Sequence, residues 1–301
     1  MRGYVGLVLL LAAIWGASFM FIKIAVDELA PTTTMLLRLV FSALPLLALV
    51  VYRLGLRPAR AQFREIGKAA VILGVLNSAL PFTLIAWGET RIDSGVAAIG
   101  NASMPLFVVL LALRFLPSER ATGFRLFGIF LGLIGVGVLT GVNPEGGWAG
   151  AVGTLAVIAA SLSYAAGSLY TQTVLVDVRN DVLAAASIAW GAIWLMPFGI
   201  VQAPSAWPGW GPIGAVLALA LLGTVAGQLL YFRLIHSYGS ARASLVVYLL
   251  PVTALIYGAV LLGEPITASA IVGLALILTG TPIASGVFRL PGRRTAVATA
   301  P

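Results

Sequence analysis

Charge is scarce in this chain. Of its 301 residues 18 are basic and 10 acidic, so charged side chains make up 9%, against roughly a quarter in a soluble domain. Hydrophobic residues make up 60% and mean hydropathy is +1.04. That leaves too little polar surface to clothe a water-soluble globule, which excludes a soluble enzyme or binding module. Cysteine is absent, excluding disulfide frameworks, thiolate metal sites and cysteine nucleophiles. The single histidine, His236, cannot build a histidine metal cluster or a paired relay. Strand-like alternation is missing too. Residues 5–22 run apolar without a break, whereas a lipid-facing barrel strand alternates apolar and polar side chains.

What is present is hydrocarbon in helix-sized lengths. A transmembrane helix needs about 20 apolar residues, and turn residues divide the chain into ten such stretches. They run near 4–26, 32–54, 67–88, 94–115, 122–141, 149–173, 182–202, 212–235, 241–262 and 268–288. The breaks carry ordinary turn chemistry, such as Asp27-Glu28 before Pro31, Pro117-Ser118, Asn143-Pro144 and Glu264-Pro265. The start, Met1-Arg2-Gly3, imitates a secretory signal. Its apolar stretch continues to Val26 with Trp15 and Lys23 inside it, so it reads as the first span. The tail 289–301 has no apolar periodicity and reads as disordered.

The net charge of +8 might suggest nucleic acid, but its distribution argues for a membrane. With the N-terminus inside, Arg2, Arg53, Arg57, Arg60, Arg64, Lys68, Arg114, Arg120, Arg125, Arg179, Arg233, Arg242, Arg289, Arg293 and Arg294 all fall on the cytoplasmic side. The other side keeps only Arg91, while Lys23 and Arg38 lie within spans. This bias predicts both termini in the cytoplasm and an even number of spans.

The chain also repeats itself. Ser94 is followed by Pro105, Glu119, Gly128 and Gly135; Ser240 is followed by Pro251, Glu264, Gly273 and Gly280. Both serine-to-proline spacings are eleven, and both glutamates precede their glycines by nine and sixteen residues. Trp15-Gly16-Ala17-Ser18 to Lys23 aligns more weakly with Tyr164-Ala165-Ala166-Gly167 to Gln172. Five spans per copy is an odd number, so the second copy starts from the opposite side and the halves are inverted. Expected units are 1–141 (helices 1–5), 142–288 (helices 6–10) and the cytoplasmic tail 289–301.

These residues carry a resemblance. Trp15-Gly16 with Lys23 in span one, Arg38 in span two, and the doubled Pro-then-Glu pattern before a glycine-rich last helix resemble the EamA family of the drug/metabolite transporter superfamily. The resemblance implies an all-α, ten-helix inverted-repeat carrier exporting amino acids or related metabolites. It is similar to the aromatic amino-acid exporter branch. One departure is that the second half has Gln172 and no arginine matching Arg38.

Mid-span polar and aromatic side chains are the candidate substrate contacts: Trp15, Ser18, Asn77, Asn101, Tyr164, Gln228, Tyr231, Ser244 and Tyr248. Each alone is more often structural, but a primary amide in hydrocarbon needs several partners, which favours Asn77, Asn101 and Gln228. Together they describe a neutral chamber with aromatic walls, suited to a zwitterion with an apolar side chain. A charge at depth costs ~2.5–3.5 kcal/mol on insertion scales, so it normally faces a cavity or a partner. For Lys23, four residues before Asp27, anchoring and substrate contact are both open. Arg38 reads as a gating or structural residue, with Asp27 or Glu28 as its partner. Pro105 and Pro251, repeat mates inside spans, read as paired hinges, with static shape as the alternative. Gly128, Gly132 and Gly135 read as close packing within the molecule, with a dimer face as the sharper alternative. Glu119 and Glu264 read as helix-end anchors. No acid lies near the middle of a span, which argues against a proton-coupled cation pump.

The expected protein is therefore a bacterial-type inner-membrane carrier, not an enzyme. It has no cofactor or metal, and moves small neutral or zwitterionic solutes outward by alternating access. Its partners are a small-molecule substrate and membrane lipids, not nucleic acid, and a monomer is favoured. Efflux of lipophilic drugs is the nearest rival, and an integral-membrane enzyme or lipid-handling protein a remote one.

Overall fold

The computed structural model describes residues 2–116, 123–141 and 147–285, and every regular element among them is helical. Expectations resting on Glu119, Pro117-Ser118, Asn143-Pro144 and the tail 289–301 lie outside the described residues. Seven helical segments are long and apolar enough to cross a bilayer: Gly3–Val26, Pro31–Leu54, Leu56–Glu89, Ser94–Phe115, Gly147–Val174, Asn180–Val201 and Trp210–Tyr238. Three apolar helices are shorter: Phe124–Thr140, Val246–Leu262 and Ala268–Ala284.

Local sequence explains the ends. Pro31 opens α2 (Pro31–Leu54) at a position whose N–H has no helical partner. Gly55, at φ 83°, turns the chain into α3 (Leu56–Gly74). The cytoplasmic side was expected to carry a loop before residue 67; instead α3 starts at Leu56 and bends at Gly67 (φ 27°, ψ −112°), a left-handed position that only glycine adopts cheaply. The segment before the bend buries Ala59 and Ile66 and leaves Arg57, Arg60 and Arg64 exposed. Thr267 caps α14 (Ala268–Ala284), its side chain accepting from the Ala270 N–H at 3.1 Å.

Several long segments are interrupted. A π turn, Val75–Ala79, joins α3 to α4 (Leu80–Glu89), and a second, Leu219–Ala226, joins α10 (Trp210–Ala218) to α11 (Gly227–Tyr238). α5 (Ser94–Asn101) breaks at Ala102-Ser103 before α6 (Met104–Phe115). The short α12 (Ser240–Ala243) breaks at Ser244-Leu245 before α13 (Val246–Tyr257), which runs into a third π turn, Gly258–Leu262. Pro105 sits in the first turn of α6, and Pro251 in the interior of α13.

The largest apolar core joins α1 (Arg2–Val26), α2, α3, α4 and α5 to α8 (Gly147–Val174) and α9 (Asn180–Val201), through Leu39, Leu73, Ile85, Val157 and Val182 among others. α7 (Phe124–Gly141) packs antiparallel on α14. A methyl added at Gly280 would stand 2.7 Å from the Gly128 carbonyl oxygen, and one at Gly273 3.2 Å from that of Gly135. Large apolar side chains also face outward: Leu44 and Phe130 are each 64% exposed and Val260 is 73% exposed. A helix apolar all round belongs in lipid. Trp148, Trp207 and Trp210, at or just before the starts of helices, are also exposed, as interfacial tryptophans are.

Candidate functional site

Buried Arg38 and Glu89 and half-buried Lys23 lie where α1, α2, α4 and the π turn 219–226 come together. Arg38 on α2 is buried, and its Nε donates to Thr224 Oγ1 at 3.1 Å, across from the first half of the chain to the second. Its guanidinium lies 3.7 Å from the centroid of Phe82, and Phe82 in turn meets Tyr164 of α8 edge-on at 6.3 Å. The remaining contact is weak, Nη1 to Met35 Sδ at 4.0 Å. Among the described residues no carboxylate oxygen lies within 4.0 Å of Arg38; ion pairs formed among them join Asp181 to Arg53 and Arg179. Asp27 and Glu28, the expected partners, stay exposed at the end of α1. One turn along α2, the buried Ser42 hydroxyl lies 2.7 Å from the Arg38 carbonyl and 3.2 Å from that of Ala220, again joining the two halves.

Lys23 turns away from Asp27. Its ammonium donates to the carbonyls of Glu89 (2.8 Å) and Ile92 (2.9 Å), holding the C-terminal end of α4 and the turn after it. Glu89 itself is fully buried, and neither carboxyl oxygen has a hydrogen-bond partner among the described residues. Glu264 is the opposite case. Its carboxylate accepts from the Ser94 N–H (2.9 Å), the Ser94 hydroxyl (2.6 Å) and the Gly95 N–H (3.3 Å), capping α5 from a distant part of the chain.

The candidate contacts separate into groups. Trp15 donates from Nε1 to the Gly223 carbonyl at 3.0 Å and lies 5.3 Å from the Tyr231 ring. Ser18 is buried against Gly223 and bonds back to the Ile14 carbonyl at 3.3 Å. These three share one wall with Arg38, since Gly223 and Thr224 are neighbours on the same π turn. Tyr164 joins that wall through Phe82. Asn77 sits in the π turn Val75–Ala79, against Gly167 of α8. Asn101 ends α5 with its Oδ1 buried and without a hydrogen-bond partner among the described residues. Gln228 is half-buried on α11. Ser244 is exposed in the break before α13, and Tyr248 reaches Ser285 at the end of α14.

Two cavities open elsewhere. One, of about 320 Å³, is lined by Arg91, Ile92, Asp93, Val96, Pro265 and Thr267 with others, beside the turn that follows Glu89. The other, of about 420 Å³, lies between the arginine-bearing start of α3 and Trp190 of α9. Glu89 is the residue that sequence reasoning passed over. It stood one position past the expected third span, as a helix-end acid of the kind that usually faces water. The available signal was an acid placed directly at the end of an apolar run, ahead of the turn that carries Arg91 and Asp93.

A helical bundle with apolar side chains facing outward and a buried arginine tied from its first half to its second defines an integral membrane protein with polar groups inside. Comparison with known proteins identifies which kind. The EamA-like transporter family matches twice, over residues 2–141 and 151–286, and the chain belongs to that family. An "Uncharacterized inner membrane transporter YedA" of Escherichia coli K12 is 30% identical over 275 residues, 90% of this chain and 86% of that protein. A "Probable amino-acid metabolite efflux pump" of Salmonella typhimurium is 27% identical over 301 residues, covering 96% of each. An "Uncharacterized transporter" of Archaeoglobus fulgidus is 28% identical over 266 residues, 88% of this chain and 92% of that one. A solved structure, described only as the crystal structure of a protein, aligns with TM-score 0.65 at 20% identity over 95% of this chain and 98% of its own, a likeness of fold. The protein is a transporter rather than an enzyme.

Proposed function

We propose that the protein is an inner-membrane carrier that exports amino acids or closely related zwitterions by alternating access. Its halves, 1–141 and 142–288, are two inverted five-helix repeats, with both termini in the cytoplasm. The two separate family matches support the duplication. So do the paired glycines: Gly128 meets Gly280 and Gly135 meets Gly273, and exchanging repeat mates turns one contact into the other, as a two-fold axis would. A probable amino-acid metabolite efflux pump among the relatives supports the substrate class.

The observation that carries the reading is Arg38. It is a buried guanidinium held to the opposite half by one neutral hydroxyl, with an aromatic face beneath it and no carboxylate within 4.0 Å among the described residues. A charged hydrogen bond to a carboxylate is roughly twice as strong as one to a neutral acceptor. A substrate carboxylate therefore competes successfully with Thr224, and binding loosens the tie between halves. Phe82, Tyr164, Trp15 and Tyr231 supply the apolar surface for an uncharged side chain. Pro105 and Pro251 are the bends about which the fourth segment of each half would move.

The test is counterflow of radiolabelled amino acids in proteoliposomes. The wild-type carrier exchanges them, and Arg38→Ala raises the half-saturating concentration at least about tenfold, with Arg38→Lys in between. Flux of lipophilic drugs without any amino-acid exchange would reject the reading.

A further inference from the structure

We infer that Glu89 is a proton-binding site of this carrier, and that its proton exchanges with the ammonium group of the substrate. The starting observation is its isolation. Glu89 is 0% exposed and its two carboxyl oxygens have no hydrogen-bond partner among the described residues, although burying an unpaired carboxyl is costly. The side chain that could have neutralised it directly does something else: two of the three N–H groups of Lys23 go to main-chain carbonyls, one of them that of Glu89 itself. A structural ion pair is thus passed over at the one place where it would have been simplest.

The charged groups around Glu89 let it exist in two forms. Lys23 on α1 and Arg38 on α2 bring two positive charges, and Glu264 beside the start of α5 brings one negative; Tyr164 on α8 reaches Arg38 only through Phe82. Ionised, Glu89 brings this set to formal neutrality. Protonated, it avoids the desolvation cost of a buried anion. The two forms differ by one proton, and no other group in the set offers that choice so simply, because the Glu264 carboxylate is committed to three donors of α5. The cavity beginning at Arg91 gives water an approach to the same turn.

Resting on the amino-acid reading above, the exchange balances as follows. The substrate carboxylate takes Arg38, and its ammonium faces ionised Glu89, whose proton has passed to water. When the substrate leaves outward, Glu89 takes a proton from water on that side. It releases that proton inside when the next ammonium arrives. A proton gradient directed inward would therefore drive export.

Two measurements separate this from the substrate question. In infrared difference spectra of the reconstituted protein taken across a pH titration, the wild type shows a protonated-carboxyl C=O band that Glu89→Gln removes and Glu89→Asp restores, shifted. That readout needs no substrate. In weakly buffered solution, adding an amino acid releases protons from the wild type and from Glu89→Asp, and none from Glu89→Gln; accumulation driven by a pH gradient is lost in Glu89→Gln alone. A band left intact by Glu89→Gln, or gradient-driven accumulation surviving in it, overturns the inference. If the band behaves as expected while no amino acid releases protons, the proton site stands and the amino-acid reading falls.

Discussion

At the scale of single residues, the two glutamates at the end bearing Arg91 show how tertiary context divides like side chains. Glu264 follows a tight left-handed glycine, Gly263 at φ 70°, which aims its side chain at the start of α5. Helix-capping interactions are worth about 0.5–2 kcal/mol, so Glu264→Ala should lower the thermal midpoint and speed amide exchange at Ser94 and Gly95, with Glu264→Gln milder. Unchanged protection at those amides would remove the capping role. Lys23 shows why sequence spacing left its partner open. Four residues from Asp27 on one helix, the pair looks like a local salt bridge, but Asp27 emerges into water, whereas the carbonyls at the end of α4 have no helical donors left. The half-buried ammonium goes to the acceptors that lack a helical donor. Arg38 follows the same logic with Thr224 in place of Glu28.

At the scale of elements, the third segment of each half carries a π turn, 75–79 in one and 219–226 in the other. Such turns place an extra residue in the helix and occur often at functional sites. Here they hold Asn77, Thr224 and the Gly223 carbonyl that receives Trp15. The fourth segments are less alike than the proline spacing implies. Pro105, in a first helical turn, removes no helical hydrogen bond, whereas Pro251 inside α13 does. Pro251→Ala should therefore slow transport more than Pro105→Ala does, measured as counterflow rate. Rates equal to wild type in both, and in the double variant, would reject the hinge. On α7 and α14 the glycines allow backbone approach that no side chain fits. Gly280→Val should lower the thermal midpoint by several degrees through overpacking, whereas Gly137→Ala, with nothing within 4 Å of its added methyl, should not. Equal effects would mean that α7 and α14 do not depend on this contact.

At the scale of the whole molecule, the absence of cysteine makes topology directly testable, since any introduced thiol is the only one. With both termini in the cytoplasm, Ser205→Cys should react with a membrane-impermeant maleimide on intact cells, and Ser237→Cys only after permeabilisation. The reverse pattern would invert the orientation, and labelling of both from outside would break the even count of spans. The chain alone determined the membrane class, the apolar segments, the arginine bias and the doubled Ser-to-Pro and Glu-to-Gly spacings, because each depends on composition or on spacing along the covalent chain. What only tertiary structure decided was the pairing of charges. Lys23 finds the end of α4 some 66 positions away, Arg38 finds Thr224 at a separation of 186, and Glu89 finds no donor among the described residues. In a low-dielectric interior a polar group is governed by whichever neighbours remain unsatisfied, and folding brings those neighbours together from distant parts of the chain.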